Sequence, residues 1–169
     1  MNVANSSTME THAGPFTAVV TADGAVLASG WTSTADDLLP LIAASLRPSS
    51  VMDKRDLGPV TAAIRAYHDG DFHAVDDIEV RQRSSEFTEW AWSVLRGVPP
   101  GKPVTYAGYA ALAGRPAAIR AAASACARNG AALFVPCHRV VRTGGGLGGF
   151  RWGVEVKRWL LDHESTRAE

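Results

Sequence analysis

The sequence predicts an α+β protein in two parts, a small α+β unit over residues 1–83 and a mostly helical unit over residues 84–169. Three observations carry this reading. Short β-leaning runs flank Asp23-Gly24, helical periodicity dominates after Ser85, and the charge balance reverses at Ser84. Residues 1–83 hold six Lys/Arg against eleven Asp/Glu, a balance of −5, whereas residues 84–169 hold eleven against six, a balance of +5.

In the first half, the polar residues 1–13 are expected to be loose. Phe16–Val20 and Val26–Trp31 read as two strands, joined where Asp23-Gly24 tolerates positive φ. Thr34 can cap a helix carrying Leu38, Leu39, Leu41, Ile42 and Leu46, although Pro40 could shift or kink it. Pro48-Ser49-Ser50 reads as a loop. A further helix starts at Pro59, shows Val60, Ala63, Ile64 and Tyr67 at helical spacing, and stops at Asp69-Gly70. A last strand is expected near Ile78–Arg83. His12, His68 and His73 have no partner at metal-ligand spacing and are expected to be solvated.

In the second half, Ser85 caps a helix with Phe87, Ala91, Val94 and Leu95 on one face, broadened by Trp90 and Trp92. Thr105 opens a short helix that stops at Gly114, and Pro116 opens another that stops at Asn129-Gly130. Two short helices about a Gly-containing turn fit a helix-turn-helix, and equally a plain helical hairpin. The second of them carries Ala117, Ala118, Ala121, Ala122, Ala123 and Ala125 around a single Arg120. Small side chains suit close helix packing or entry into a DNA groove with Arg120 reaching the base stack; too few long polar side chains are present for major-groove reading.

Composition narrows the class. With 46% hydrophobic residues and five Trp in 169 residues, the chain has the material for a folded core. No apolar run reaches the roughly 20 residues of a membrane span, and the first residues lack a charged start and apolar centre, so a cytoplasmic protein is expected. Two cysteines, Cys126 and Cys137, cannot make a disulfide framework or a four-thiolate metal site. The basic second half suits an anionic partner such as nucleic acid, or is ordinary surface charge.

Reactive side chains concentrate in Val135-Pro136-Cys137-His138-Arg139-Val140. Pro136 interrupts regular structure, so Cys137 should be exposed enough to act as a nucleophile. A free thiol with a pKa of about 8.5 needs a base or a positive field to yield thiolate. Adjacent side chains diverge, so His138 would act through water, with a carboxylate fixing its tautomer. The same pair could also be a structural cysteine beside a histidine.

The run Pro136-Cys137-His138-Arg139-Val140, with Asn129 before it and Gly144–Gly149 and Lys157-Arg158-Trp159-Leu160-Leu161-Asp162-His163-Glu164 after it, resembles the O6-alkylguanine-DNA alkyltransferases. Phe87, Trp92, Leu95, Pro99, Gly101, Thr105-Tyr106, Gly114 and Arg120 extend the resemblance over about residues 85–164. It implies a ribonuclease H-like layout for the first domain and a winged-helix-like second domain. It also implies a single-use DNA repair protein that moves an alkyl group from O6 of a flipped guanine in double-stranded DNA to Cys137, as a monomer and without cofactor. By the same resemblance His138 is the base, Glu164 orients it and Asn129 braces the active-site turn. The last helix is expected to bury Val156, Trp159, Leu160 and His163, with Glu164 at the border of that face. Tyr106, Val140, Phe150, Arg151 and Trp152 would meet the base, and Arg120, Ala118, Ala121 and Thr105 the DNA.

No Cys lies in residues 1–83, so no metal is expected there, and Cys126 is expected to be a packing residue near the pocket. Gly130, Thr88 and Phe150 depart from the commonest family residues. Arg151-Trp152-Gly153 stands where many members have a small residue and two glycines, and in this it is similar to the alkyltransferase half of the bacterial adaptive-response protein. Arg151 and Trp152 should then narrow the pocket. Two other readings stay open: an alkyltransferase-like lesion binder, which has Trp where Cys137 stands, and a Cys-His hydrolase using backbone donors of Gly144–Gly146.

Overall fold

The structure, a computed structural model, describes residues 2–165, and they form two compact units. Among these, unit 1 comprises residues 2–83 together with 130–134, and unit 2 comprises residues 84–129 and 135–165. The return of Gly130–Phe134 to the first unit departs from a single boundary at Ser84.

Unit 1 is built on a four-stranded sheet in the order β3-β2-β1-β4, from β1 (Val3–Thr11), β2 (Gly14–Val20), β3 (Val26–Gly30) and β4 (Ser50–Asp53). The strands β1, β2 and β3 run antiparallel, and β4 pairs parallel to β1. Residues 16–20 and all of β3 are buried, so these strands are covered on both faces. The hydroxyls this buries are paired: Thr17 Oγ1 donates to Thr32 O at 2.7 Å and Ser29 Oγ to Ala132 O at 2.9 Å. Helix α1 (Pro59–His68) places Val60, Ile64 and Tyr67 in the same core.

Four expectations are corrected in unit 1. The first residues are not loose: β1 pairs from Asn5↔Val20 to Thr11↔Gly14, and Thr8 and Thr17 share a hydrogen bond at 2.7 Å. Thr34 does cap, accepting from Asp36 N, but only short 3-10 turns follow at Ala35–Asp37 and Leu39–Leu41. Pro40 lacks the amide that a continuing helix needs, and burial of Leu38 and Ile42 accounts for the apolar pattern. The strand near Ile78–Arg83 reduces to one bridge, Val26↔Val80. His68 is buried, with Nδ1 2.7 Å from Ile64 O and Trp31 Nε1 donating to its Nε2 at 3.4 Å.

Unit 2 holds α2 (Glu86–Leu95), β5 (Val104–Thr105), α3 (Tyr106–Leu112), α4 (Ile119–Arg128), a 3-10 turn at Cys137–Arg139, β6 (Val140–Val141) and α5 (Val154–Ser165). Ser85 and Thr105 cap α2 and α3, accepting from Thr88 N and Gly108 N. β5 and β6 pair in parallel, Val104↔Val140 and Thr105↔Val141. Ala91, Ala122 and Ala125 are fully buried where α2 and α4 meet, so small side chains set the helix separation here. Trp92 Nε1 donates to Ala125 O at 2.8 Å and Tyr109 Oη to Ala91 O at 2.6 Å, closing polar atoms that would otherwise be orphaned in this core. Trp90 does not extend the buried face; it is 54% exposed.

Helix α5 buries a different row from the one expected. Lys157, Leu160 and Glu164 face inward, while Trp159 and His163 stack on each other at 4.4 Å and are half-buried. The inward row contains two ionisable residues, so hydrophobicity alone pointed one position away from it.

Candidate active site

Pro136 precedes the turn with φ −81° and ψ 65°, and Cys137 N donates to Val135 O at 2.8 Å. The turn divides its three side chains. Cys137 borders a cavity of about 360 Å³, whereas His138 and Arg139 are buried and directed at Glu164. His138 Nε2 lies 2.8 Å from Glu164 Oε2. Arg139 donates through Nε to Oε1 at 3.0 Å, through Nη2 to Oε2 at 2.9 Å, and through Nη1 to Val98 O at 2.8 Å.

The electrostatics follow from this packing. Burial would push the Glu164 carboxyl up, but the combined charge and hydrogen bonds of His138 and Arg139 hold it well below the usual carboxylate range. Burial lowers His138, and the charges of Arg139 and Lys157 add to that against the opposing pull of Glu164. An ionised Glu164 can only accept, so Nε2 of a neutral His138 carries the proton and Nδ1 keeps its lone pair. Cys137 is less exposed than expected: burial pushes its thiol up, while Asn129 and the charges of Lys157 and Arg151 pull it back.

Three elements wall the cavity beside Cys137. Tyr106 comes from the start of α3, Ala123, Cys126, Ala127 and Asn129 from α4 and its end, and Gly149, Phe150, Arg151 and Trp152 from the loop before α5. Asn129 Nδ2 donates to Val135 O at 2.8 Å, tying the end of α4 to the segment that delivers the thiol. Arg151 straps the loop to α4 by donating to Ala127 O and, at 3.2 Å, to Asn129 O. These carbonyls end a helix, where a cation is favourable. Gly148 has φ +80°, and a Cβ there would lie 3.0 Å from Tyr106 Oη and 3.5 Å from Lys157 Nζ. Only glycine fits this approach without displacing a neighbour.

Of the residues expected to meet the base, Val140 lies elsewhere. The Val140 side chain is fully buried in β6 and does not border the cavity; its carbonyl accepts from Lys157 Nζ at 2.7 Å. Arg120 is exposed on α4, Ala118 and Ala121 are half-buried beside it, and Thr105 acts as the cap of α3. Two residues were missed, Arg139 and Lys157. The first follows the Cys-His pair directly, and the second lies seven residues before Glu164 on the same helical row, a spacing that could have revealed it.

The family described as 6-O-methylguanine DNA methyltransferase, DNA binding domain, matches residues 86–166. A probable methylated-DNA–protein-cysteine methyltransferase of Acanthamoeba polyphaga mimivirus is 32% identical over 121 residues, 70% of this chain and 80% of that protein. The chain belongs to the methylated-DNA–protein-cysteine methyltransferase family. Within this family it is also similar to the Escherichia coli bifunctional transcriptional activator/DNA repair enzyme Ada, at 47% identity over 87 residues, 52% of this chain. The chain spans only 25% of that relative's length, and 63% of a Salmonella typhimurium methylated-DNA–protein-cysteine methyltransferase. The O6-methylguanine methyltransferase structure of Mycobacterium tuberculosis matches with TM-score 0.79 and 26% identity, over 98% of this chain and 95% of that one. A structure of Mycobacterium tuberculosis OGT in complex with DNA matches with TM-score 0.79 and 25% identity, over 96% of this chain and 94% of that one. Among the described residues of this methyltransferase-family chain, no helix is long and apolar enough to cross a membrane.

Proposed function

We propose that this protein repairs DNA by direct reversal, taking the alkyl group of O6-alkylguanine onto Cys137 once per molecule. The observation that carries this is the cavity with a thiol in its wall and the buried His138–Glu164 pair behind the same turn. In the reaction the Cys137 thiol gives its proton to His138 Nδ1 through water, and the resulting thiolate attacks the alkyl carbon. The S–C bond forms as the C–O6 bond breaks, and the guanine leaving group takes up a proton. The thioether that remains has no leaving group for hydrolysis, so the protein is consumed, and no cofactor or metal is needed.

A guanine O6 inside the duplex is out of reach, so the nucleotide must leave the stack. The exposed Arg120 would fill the vacated place, the small residues Ala118 and Ala121 at the start of α4 would enter the minor groove, and α3–α4 would act as a helix-turn-helix. Capped by Thr105, α3 presents Tyr106 to the flipped base with Phe150, Arg151 and Trp152. In unit 1, three antiparallel strands followed by a parallel β4 support the ribonuclease H-like layout. The protein acts as a cytoplasmic monomer on double-stranded DNA.

The test is to incubate the protein with duplex DNA containing O6-methylguanine and map the product by mass spectrometry. One methyl per protein on Cys137 is expected, and Cys137→Ser should bind the DNA without transfer. Lesion binding without transfer by the unmodified protein would instead identify a non-catalytic lesion binder, and turnover of an ester a Cys-His hydrolase.

A further inference from the structure

We propose that Arg139 is a positioning residue for this reaction: its guanidinium grips both oxygens of Glu164 and so fixes the carboxylate that orients His138. The inference rests on the alkyl-transfer reading and deepens it. A carboxylate on a helix side chain can rotate about its last bond, and one hydrogen bond from His138 leaves that rotation open. Nε to Oε1 and Nη2 to Oε2, at 3.0 and 2.9 Å, close it as a planar fork. Nη1 donates to Val98 O at 2.8 Å, so the fork is itself held from the opposite side.

The shared atom gives Arg139 a second consequence. Oε2 accepts from both Nη2 of Arg139 and Nε2 of His138, so a permanent cation already balances the carboxylate. Were Glu164 alone beside His138, the buried pair would favour imidazolium, which has no lone pair to take the thiol proton. The charged and titratable groups acting on His138 are Glu164 and Lys157 from α5 and Arg139 from its own turn. Of these only Glu164 favours the imidazolium, and Arg139 is the group bonded to it. Neutral His138 with a defined tautomer is thus a product of three residues, not two. A merely structural ion pair would also act on the imidazole through its charge, so the positioning role is read from Arg139→Lys, which keeps the charge and loses the fork.

The experiment is a 15N NMR titration of the histidines in the full chain, run beside the pH dependence of single-turnover methyl transfer. In the unmodified protein, His138 is expected neutral at pH 7 with its proton on Nε2, and the Arg139 Nε–H slow to exchange. In Arg139→Gln, the His138 midpoint should rise by about one pH unit or more, and the acid limb of the transfer rate should rise with it. Arg139→Lys keeps the charge and loses the fork, so the midpoint should stay near that of the unmodified protein while the rate falls severalfold. A folded Arg139→Gln with an unmoved midpoint overturns the proposal. If that variant does not fold, His138 protonated at pH 7 or fast exchange of Arg139 Nε–H in the unmodified protein overturns it. The titration needs no DNA, so it separates two failures: expected titration without methyl transfer removes the function and leaves the grip, and transfer with an unmoved titration does the reverse.

Discussion

The two units bury polar groups in opposite ways. Unit 1 buries Ser6, Ser7, Thr17, Ser29, Thr32, Thr61 and His68, none with a formal charge when histidine is neutral. Unit 2 buries Arg139, Lys157 and Glu164 beside His138, all contributed by the turn and the last helix. Hydroxyls can be satisfied inside a sheet at little cost, as the Thr8–Thr17–Thr32 chain does. Buried charges cost several kcal/mol per ion unless geometry and hydrogen bonds are nearly complete. A fold that carries them in one place and not the other is spending stability where protons must be controlled.

Breaking the contrast at its centre should have the largest effect. Glu164→Gln would leave the buried Arg139 without its carboxylate, at about 3–5 kcal/mol of stability. Methyl transfer should also fall by about 10²–10⁴-fold through loss of base orientation. Chemical denaturation and single-turnover kinetics measure the two losses separately. The unmodified protein should show the same contrast against pH. His138 has a lowered folded pKa, so the unfolded chain binds more protons as pH falls below the ordinary histidine value, about 6.5. Glu164 is lowered as well, so its contribution is present above the ordinary carboxylate range and lost in stronger acid. Stability of unit 2 should therefore decline from about pH 6.5 downward in two stages, which fluorescence of Trp92 and Trp159 can follow in acid titration.

Smaller effects sharpen the difference between chemistry and access. Replacing Trp152 by Gly opens one wall of the cavity without touching the thiol, so transfer from O6-benzylguanine should rise by about 10–200-fold relative to O6-methylguanine. Equal rates on both lesions in the unmodified protein would remove Trp152 as a gate. At the bottom of the scale is the exposed ion pair of Asp23 with Arg81 in unit 1, where Arg81 holds the Asp23 carboxyl down to about 2. Asp23→Asn should leave methyl transfer unchanged and move thermal unfolding too little to resolve, because exposed pairs contribute little.

The same division governed what could be read from the sequence. Helices with one apolar row, such as α1 and α2, were legible because burial follows periodicity there. β1 was not: its Asn, Ser and Thr residues resemble a tail, and its stability comes from pairing with β2, which is remote information. The run after Thr34 was misread as a helix because leucine spacing outweighed Pro40. At the site, the adjacent Cys137 and His138 stood out in the sequence itself, whereas Asn129 and Glu164 entered only through the family resemblance. Arg139 had no such signal, because a basic residue on a turn is ordinarily solvated and only its three-dimensional partners mark it as buried, whereas Lys157 could be found only by its i, i+7 spacing to Glu164.

Gly148 restricts how the cavity can change. A side chain there, already strained by the positive φ, would press on Tyr106, so a substitution meant to reshape the acceptor chamber would disturb an aromatic wall. Phe150, Arg151 and Trp152 border the same space from a loop that Arg151 straps to α4. Lesion preference is therefore most freely diversified at residues 150 and 152, and a library aimed at new alkyl groups should randomise those two positions, keep the Arg151 strap and leave residue 148 as glycine.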